Sequence, residues 1–169
     1  IMSLLRNWYL IQTAAANPEA RAKKFDDKLM GELIRFVSSH EVGHTLGLRH
    51  NMGASSATPV EKLRDKDFVA KNGHTSSIMD YARFNYVAQP EDGVTDLFPR
   101  IGDYDKWAIK WGYSYFQDAN NEVDEKSILN DMTKEAYKNP RLRFGTETNP
   151  YDPRFQTEDL GDNAMKASE

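Results

Sequence analysis

The sequence contains no cysteine. Disulfide staples and thiolate metal ligands are thereby excluded, and the redox compartment stays open. Long apolar runs are missing too. The longest uncharged stretch near the start, residues 7–18, is 12 residues long and partly polar, too short for a helix that must cross a hydrocarbon core. No charged segment followed by an apolar core and a cleavage site opens the chain. Nor is there a basic excess: 22 Lys and Arg face 26 Asp and Glu, a net charge of −4. Arg21, Lys23 and Lys24 form the one short basic cluster, read as a solvated helix face. This balance argues against a dedicated nucleic-acid surface. Internal repeats and low-complexity tracts are also lacking. The 169 residues are 39% hydrophobic and 28% charged, enough for a core under a soluble surface, and they read as a single domain over 1–169.

Histidine is scarce, yet three of the four fall in one run of eleven residues, His40-Glu41-Val42-Gly43-His44-Thr45-Leu46-Gly47-Leu48-Arg49-His50. On an α-helix His40 and His44 stack on one face, one turn apart, so both imidazoles reach a single metal ion. Glu41 lies about 100° further around the helix, better placed to touch a metal-bound water than the metal. Gly47 accepts the left-handed backbone that ends a helix and turns the chain, which brings His50 back to the same ion. Three imidazoles and one water make the open tetrahedral site of a catalytic zinc. The bland alternative is a coincidence of histidines on a helix. With 10 Gly and 4 His in the chain, a chance match at both 47 and 50 has odds of about 1 in 700 by composition.

The pattern H-E-x-x-H-x-x-G-x-x-H resembles the long zinc-binding signature of the metzincin metalloproteases. Ser77-Ile78-Met79-Asp80-Tyr81 is similar to their Met-turn, which sets a methionine, here Met79, beneath the three ligands. In astacin-like and serralysin-like metzincins a tyrosine stands two residues after that methionine. The resemblance implies that Tyr81 can bind the metal at rest and hydrogen-bond the oxyanion during reaction; an ordinary packed tyrosine is the alternative. Residues 101–113 resemble the C-terminal metzincin helix, in which an aspartate holds the Met-turn backbone. Asp105 is the candidate and Asp103, read as the helix N-cap, is second; a plain capping or solvated role is the alternative for each. Together these segments resemble, over about residues 38–113, the Met-zincin domain of large exported zinc-dependent metalloproteases of Gram-negative bacteria. Residues 139–145 and 156–162 look familial with less specificity. The resemblance implies a Zn2+ cofactor, a protein or peptide substrate, further domains in the parent protein, and a periplasmic, outer-membrane-associated or extracellular location.

The expected fold is a mainly α fragment of an α+β zincin-like catalytic domain. Ile1, Leu4, Leu5 and Trp8 recur at helical spacing. Asn17 and Pro18 restart the pattern as N-cap and first helical residue. Phe25, Leu29, Leu33, Phe36, Val37, His40 and His44 share a face, so the ligand helix runs from near 18 or 26 to 47. Residues 1–39 then leave no room for the sheet that precedes the active-site helix in metzincins and pairs with substrate. Inactivity and weak metal retention are expectations for this piece alone. Residues 1–50 thus form helices that end in the ligands, and 51–169 form a C-terminal subdomain. In it, short helical segments are expected at 61–70, 103–112 and 125–138, the last with Ile128, Leu129, Met132, Ala136 and Tyr137 as its apolar set. A turn is expected at Asn72-Gly73, a solvated loop at His74, and an irregular loop at 84–100. By resemblance Phe84, Asn85 and Tyr86 wall a substrate side-chain pocket, with simple packing as the alternative. Residues 163–169 read as a helix cut in progress. With the start at Ile1 the expectation is that the chain is a piece of a longer protein.

Zinc-dependent endopeptidase is the function these readings favour, with Glu41 as general base. Two rivals remain open. One is a degenerate zincin that binds peptide or glycan without cutting, which the intact Glu41 argues against. The other is a zinc hydrolase of a non-peptide amide, since the ligand set does not encode the substrate.

Overall fold

A computed structural model describes residues 2–146 and 151–169; Ile1 of the first helical pattern and part of the 146–155 loop lie outside the described residues. The described residues contain no strand, as expected for a mainly α piece. Among the described residues six α-helices run in order: α1 (Met2–Thr13), α2 (Asp27–Thr45), α3 (Lys66–Asn72), α4 (Asp103–Tyr113), α5 (Glu122–Tyr137) and α6 (Ala164–Ser168). None is long and apolar enough to cross a membrane.

Helix α1 is fixed by one buried stripe, Leu5, Tyr9 and Thr13, spaced four apart. The Thr13 hydroxyl donates to the Tyr9 carbonyl, and Asn17 donates to the Tyr9 hydroxyl at 2.7 Å. Asn17 also caps a 3-10 turn at Pro18–Arg21, so the sequence signal there is right although the turn stops before α2. Asp26 caps α2, accepting from the Leu29 amide at 2.7 Å.

The main core joins α1, α2 and the chain after residue 77. Leu5 and Tyr9 meet Phe25, Leu29, Leu33 and Phe36 of the α2 side, together with Ile78, Met79 and Phe84. Tyr9 packs edge-on against Phe25 and Phe84 and stacks on Phe98. The α2 face is apolar from Leu29 to Phe36 and continues as buried His40. The stripe that anchors the helix therefore also aims its first imidazole.

The expected helix at 61–70 is split into a 3-10 turn, Val60–Arg64, and α3, with Asp65 capping α3 through the Phe68 amide. The irregular 84–100 segment is held by Asn85, whose amide pairs with the Leu97 carbonyl and whose side chain donates to the Leu63 carbonyl. Arg100 closes it by donating to the Val69 and Ala70 carbonyls near the end of α3.

Three expectations are corrected. His74 is fully buried rather than solvated, because the chain from Thr75 to Asp80 is itself buried and carries it inside. The cap of α4 is Gly102, not Asp103; Asp103 is the first helical residue and accepts from Arg141 Nε at 2.6 Å. In α5 only Ala136 of the expected apolar set is buried, while Tyr137 is 91% exposed. That helix is covered on one flank alone, where Trp111 Nε1 donates to the Leu129 carbonyl.

Candidate metal centre

His40, Glu41 and His44 occupy the last turns of α2, and the way that helix ends delivers His50. The Leu48 amide donates back to the Gly43 carbonyl and the Gly47 amide to the His44 carbonyl. This paired closure requires a left-handed residue at its corner, and Gly47 supplies it with φ of 84°. The reversed chain presents the Leu48 carbonyl to His44 Nδ1 at 2.9 Å. His40 Nδ1 lies 2.8 Å from the Ile78 carbonyl. A carbonyl can only accept, so in both rings Nδ1 carries the proton and Nε2 keeps its lone pair.

The lone pairs converge. His44 Nε2 and His50 Nε2 are 3.1 Å apart, close to the ~3.3 Å between two nitrogens on a tetrahedral zinc with bonds of about 2.05 Å. One ligand atom from each of His40, His44 and His50 lies within 4.8 Å of the others. Burial lowers the His40 pKa, against the Ile78 hydrogen bond that raises it, so the ring stays neutral as a ligand must. His40 is buried, His50 half-buried and His44 exposed, so the cluster lies at the protein surface. Three imidazoles gathered in this way fit a zinc ion.

Met79 is fully buried below α2. A Cβ at position 43 would lie 2.4 Å from its sulfur, so the glycine between the two helical ligands lets the methionine approach. The turn that carries Met79 hangs from Asp105. One carboxylate oxygen accepts from the Ser77 hydroxyl at 2.6 Å, and the other from the Ile78 and Gly102 amides at 2.8 Å each. Burial pushes the Asp105 carboxyl up, and these three donors oppose that shift. Because the Ile78 carbonyl orients His40, Asp105 is linked to that imidazole through a single residue, Ile78, whose amide it accepts from.

The Tyr81 ring lies 4.5 Å from His50 and 5.6 Å from His40, centre to centre. With His40, exposed Glu41 and Arg83 it lines a cavity of about 280 Å³, whose apolar wall comes from Trp8, Phe36 and Val37. Phe84 and Asn85 do not wall this cavity; both are fully buried in packing roles. Tyr86 packs against the separate cluster of Val60, Leu63 and Leu160. A larger cavity of about 550 Å³ lies along α2 and α4 between Val42, Leu46 and Ile109, and it includes none of the histidines.

Several supporting groups escaped sequence reading. The Ile78 and Leu48 carbonyls are backbone, which no residue type advertises. Asn51 is fully buried; its amide donates to the Met79 carbonyl, and its side chain bridges the Arg143 carbonyl and the Gly145 amide. Its position directly after the third ligand was the available signal.

A Met-zincin family model matches residues 22–169. The chain belongs to the Met-zincin family. The match includes α2, the 77–81 turn and α4, and it also takes in residues 139–145 and 156–162. Comparison with curated proteins and with solved structures finds no match. As a Met-zincin the chain is a metzincin-type domain whose family implies zinc, and its histidine cluster is one that could hold the ion.

Proposed function

We propose that this Met-zincin domain is the catalytic part of a zinc-dependent endopeptidase acting on protein or peptide substrates. The observation that carries the reading is Glu41, an exposed carboxylate next to the first ligand, lining a cavity with His40 and Tyr81. A merely metal-binding domain has no need of that group. Zinc held by His40, His44 and His50 would supply Lewis acidity, polarising a carbonyl and lowering the pKa of a water toward about 7. Glu41 takes the proton of the attacking water as general base and returns it to the leaving amine. Tyr81, with its ring against His50, donates a hydrogen bond to the carbonyl oxygen as negative charge develops there. His40 and His44 keep their lone pairs directed inward because Ile78 and Leu48 hold the opposite nitrogens.

Elemental mass spectrometry after dialysis at neutral pH, with His44→Ala as control, reads the site. One zinc per chain in the full-length protein and none in its variant is expected. Peptide-library cleavage by the full-length protein then reads the chemistry. Glu41→Gln should retain zinc and lose at least about a thousandfold in turnover. Undiminished cleavage by that variant would refute the mechanism. A peptide bound with zinc but never cut would favour a binding domain instead.

A further inference from the structure

Among the described residues two that are not glycine have positive φ, Arg83 at 55° and Glu158 at 67°. Such backbone is costly for these residue types and persists only where surrounding contacts hold it. Here the two strained residues are each other's partners. Arg83 Nε lies 3.1 and 2.9 Å from the two Glu158 carboxylate oxygens, and Nη2 lies 2.7 Å from one of them. With that edge docked, the faces of the guanidinium meet two rings. Its carbon is 4.0 Å from the centre of Trp8 and 4.4 Å from the centre of Tyr81.

The same pair also holds the backbone of Tyr81. The Glu158 amide donates to the Tyr81 carbonyl at 3.1 Å, and buried His74 Nε2 lies 3.2 Å from the Arg83 carbonyl. Tyr81 is thus gripped through its ring by Arg83 and through its carbonyl by Glu158, while Trp8 of α1 covers Arg83. Glu158 offsets the charge of Arg83, so the guanidinium acts as a flat, fixed plate and not as a free cation.

We propose that Arg83, fixed by Glu158 and Trp8, is a positioning residue that holds the Tyr81 ring beside the histidine triad. This rests on the proposed hydrolytic role of Tyr81. Arg83 acts through Tyr81, whose ring it stacks on; it sets where the phenol stands when charge develops on the substrate. Lysine cannot replace it, since an ammonium has neither the planar faces nor the paired donors.

The test uses full-length zinc-loaded protein carrying 3-fluorotyrosine at position 81, with Arg83→Lys and, should that variant fold poorly, Glu158→Gln. The fluorine signal is expected to be single and sharp in the parent and to shift or split in either variant, with zinc content unchanged. On a peptide cleaved by the parent, Arg83→Lys should lower kcat roughly tenfold and leave KM in place. In a Tyr81→Phe background the same substitution should cost no further kcat. An unmoved fluorine signal, or an undiminished tenfold loss without the Tyr81 hydroxyl, would overturn the assignment. If no peptide is cut, the hydrolytic reading fails separately, and the fluorine signal alone decides whether Arg83 holds Tyr81.

Discussion

Helices α2 and α5 are similar in length, at 19 and 16 residues, and both look amphipathic in sequence. The first buries Leu29, Leu33, Phe36, His40 and Gly43; the second buries Ala136 alone. What separates them is cover. The α2 face is closed by α1, by the turn hung from Asp105 and by Phe84, whereas α5 meets the 3-10 turn at Pro140–Leu142 and the Trp111 side chain. An apolar periodicity states what a helix can bury, and the rest of the chain decides whether it does. The difference matters for function, because the covered helix is the one that carries two of the three candidate metal-binding histidines.

Removing the turn's anchor should blur this contrast most. Asp105→Ala would orphan the Ser77 hydroxyl and the Ile78 and Gly102 amides, costing about 4 kcal/mol of stability. Since the Ile78 carbonyl orients His40, zinc affinity should also fall roughly 10–100-fold. Urea unfolding and competitive zinc titration read the two losses. Normal zinc affinity in a folded variant would show that the turn holds without Asp105.

The contrast is then sharpened by paired truncations. Leu33→Ala in α2 should cost about 3 kcal/mol, and Met132→Ala on the half-exposed face of α5 about 1 kcal/mol or less. Equal losses in urea would mean that α5 is covered in solution.

Acid should weaken the fold through His74, which is buried against the Arg83 carbonyl. Burial is the main cause lowering its pKa to about 4, with Arg100 nearby adding to the shift and the Arg83 carbonyl opposing it. The unfolded chain, with an ordinary histidine pKa of about 6.5, then binds the proton first. The contribution of His74 is therefore intact above pH 6.5 and is lost as pH falls from 6.5 to about 4, up to about 3 kcal/mol. Asp159, raised by burial to about 6, acts in the opposite sense, favouring the folded chain as pH falls from 6 toward 3.8. Comparing parent with His74→Gln across that window cancels the carboxyl. The variant should lack the acid-side decline, and parallel curves would show that His74 does not control it.

Much of the metal centre was legible in advance because its rules are local. The spacing of His40 and His44, the left-handed corner at Gly47 and the return of His50 follow from one helix and its end. The direction of the 77–81 turn's support was legible as well, since a short list of acidic residues near 103 was available to hold it. Asp105 stood ahead of Asp103 by resemblance, and the fold gives the reason: both sit in the first turn of α4, but Asp105 bonds the 77–81 turn while Asp103 meets Arg141.

His74 was misplaced for a related reason, and of the two roles open to Phe84 only the fold selected packing. A polar or turn-rich stretch looks solvated until other segments close over it, and residues 74–80 are covered by chain from many places. Arg83 and Glu158, 75 positions apart, could not be paired from sequence, since any of many carboxylates could meet that guanidinium. By itself the sequence determined which atoms can bind a metal, because helical pitch and glycine's conformational freedom act over a few residues. Only the tertiary structure decided what orients those atoms and which faces are covered, because burial and hydrogen bonding join segments that the chain order keeps apart.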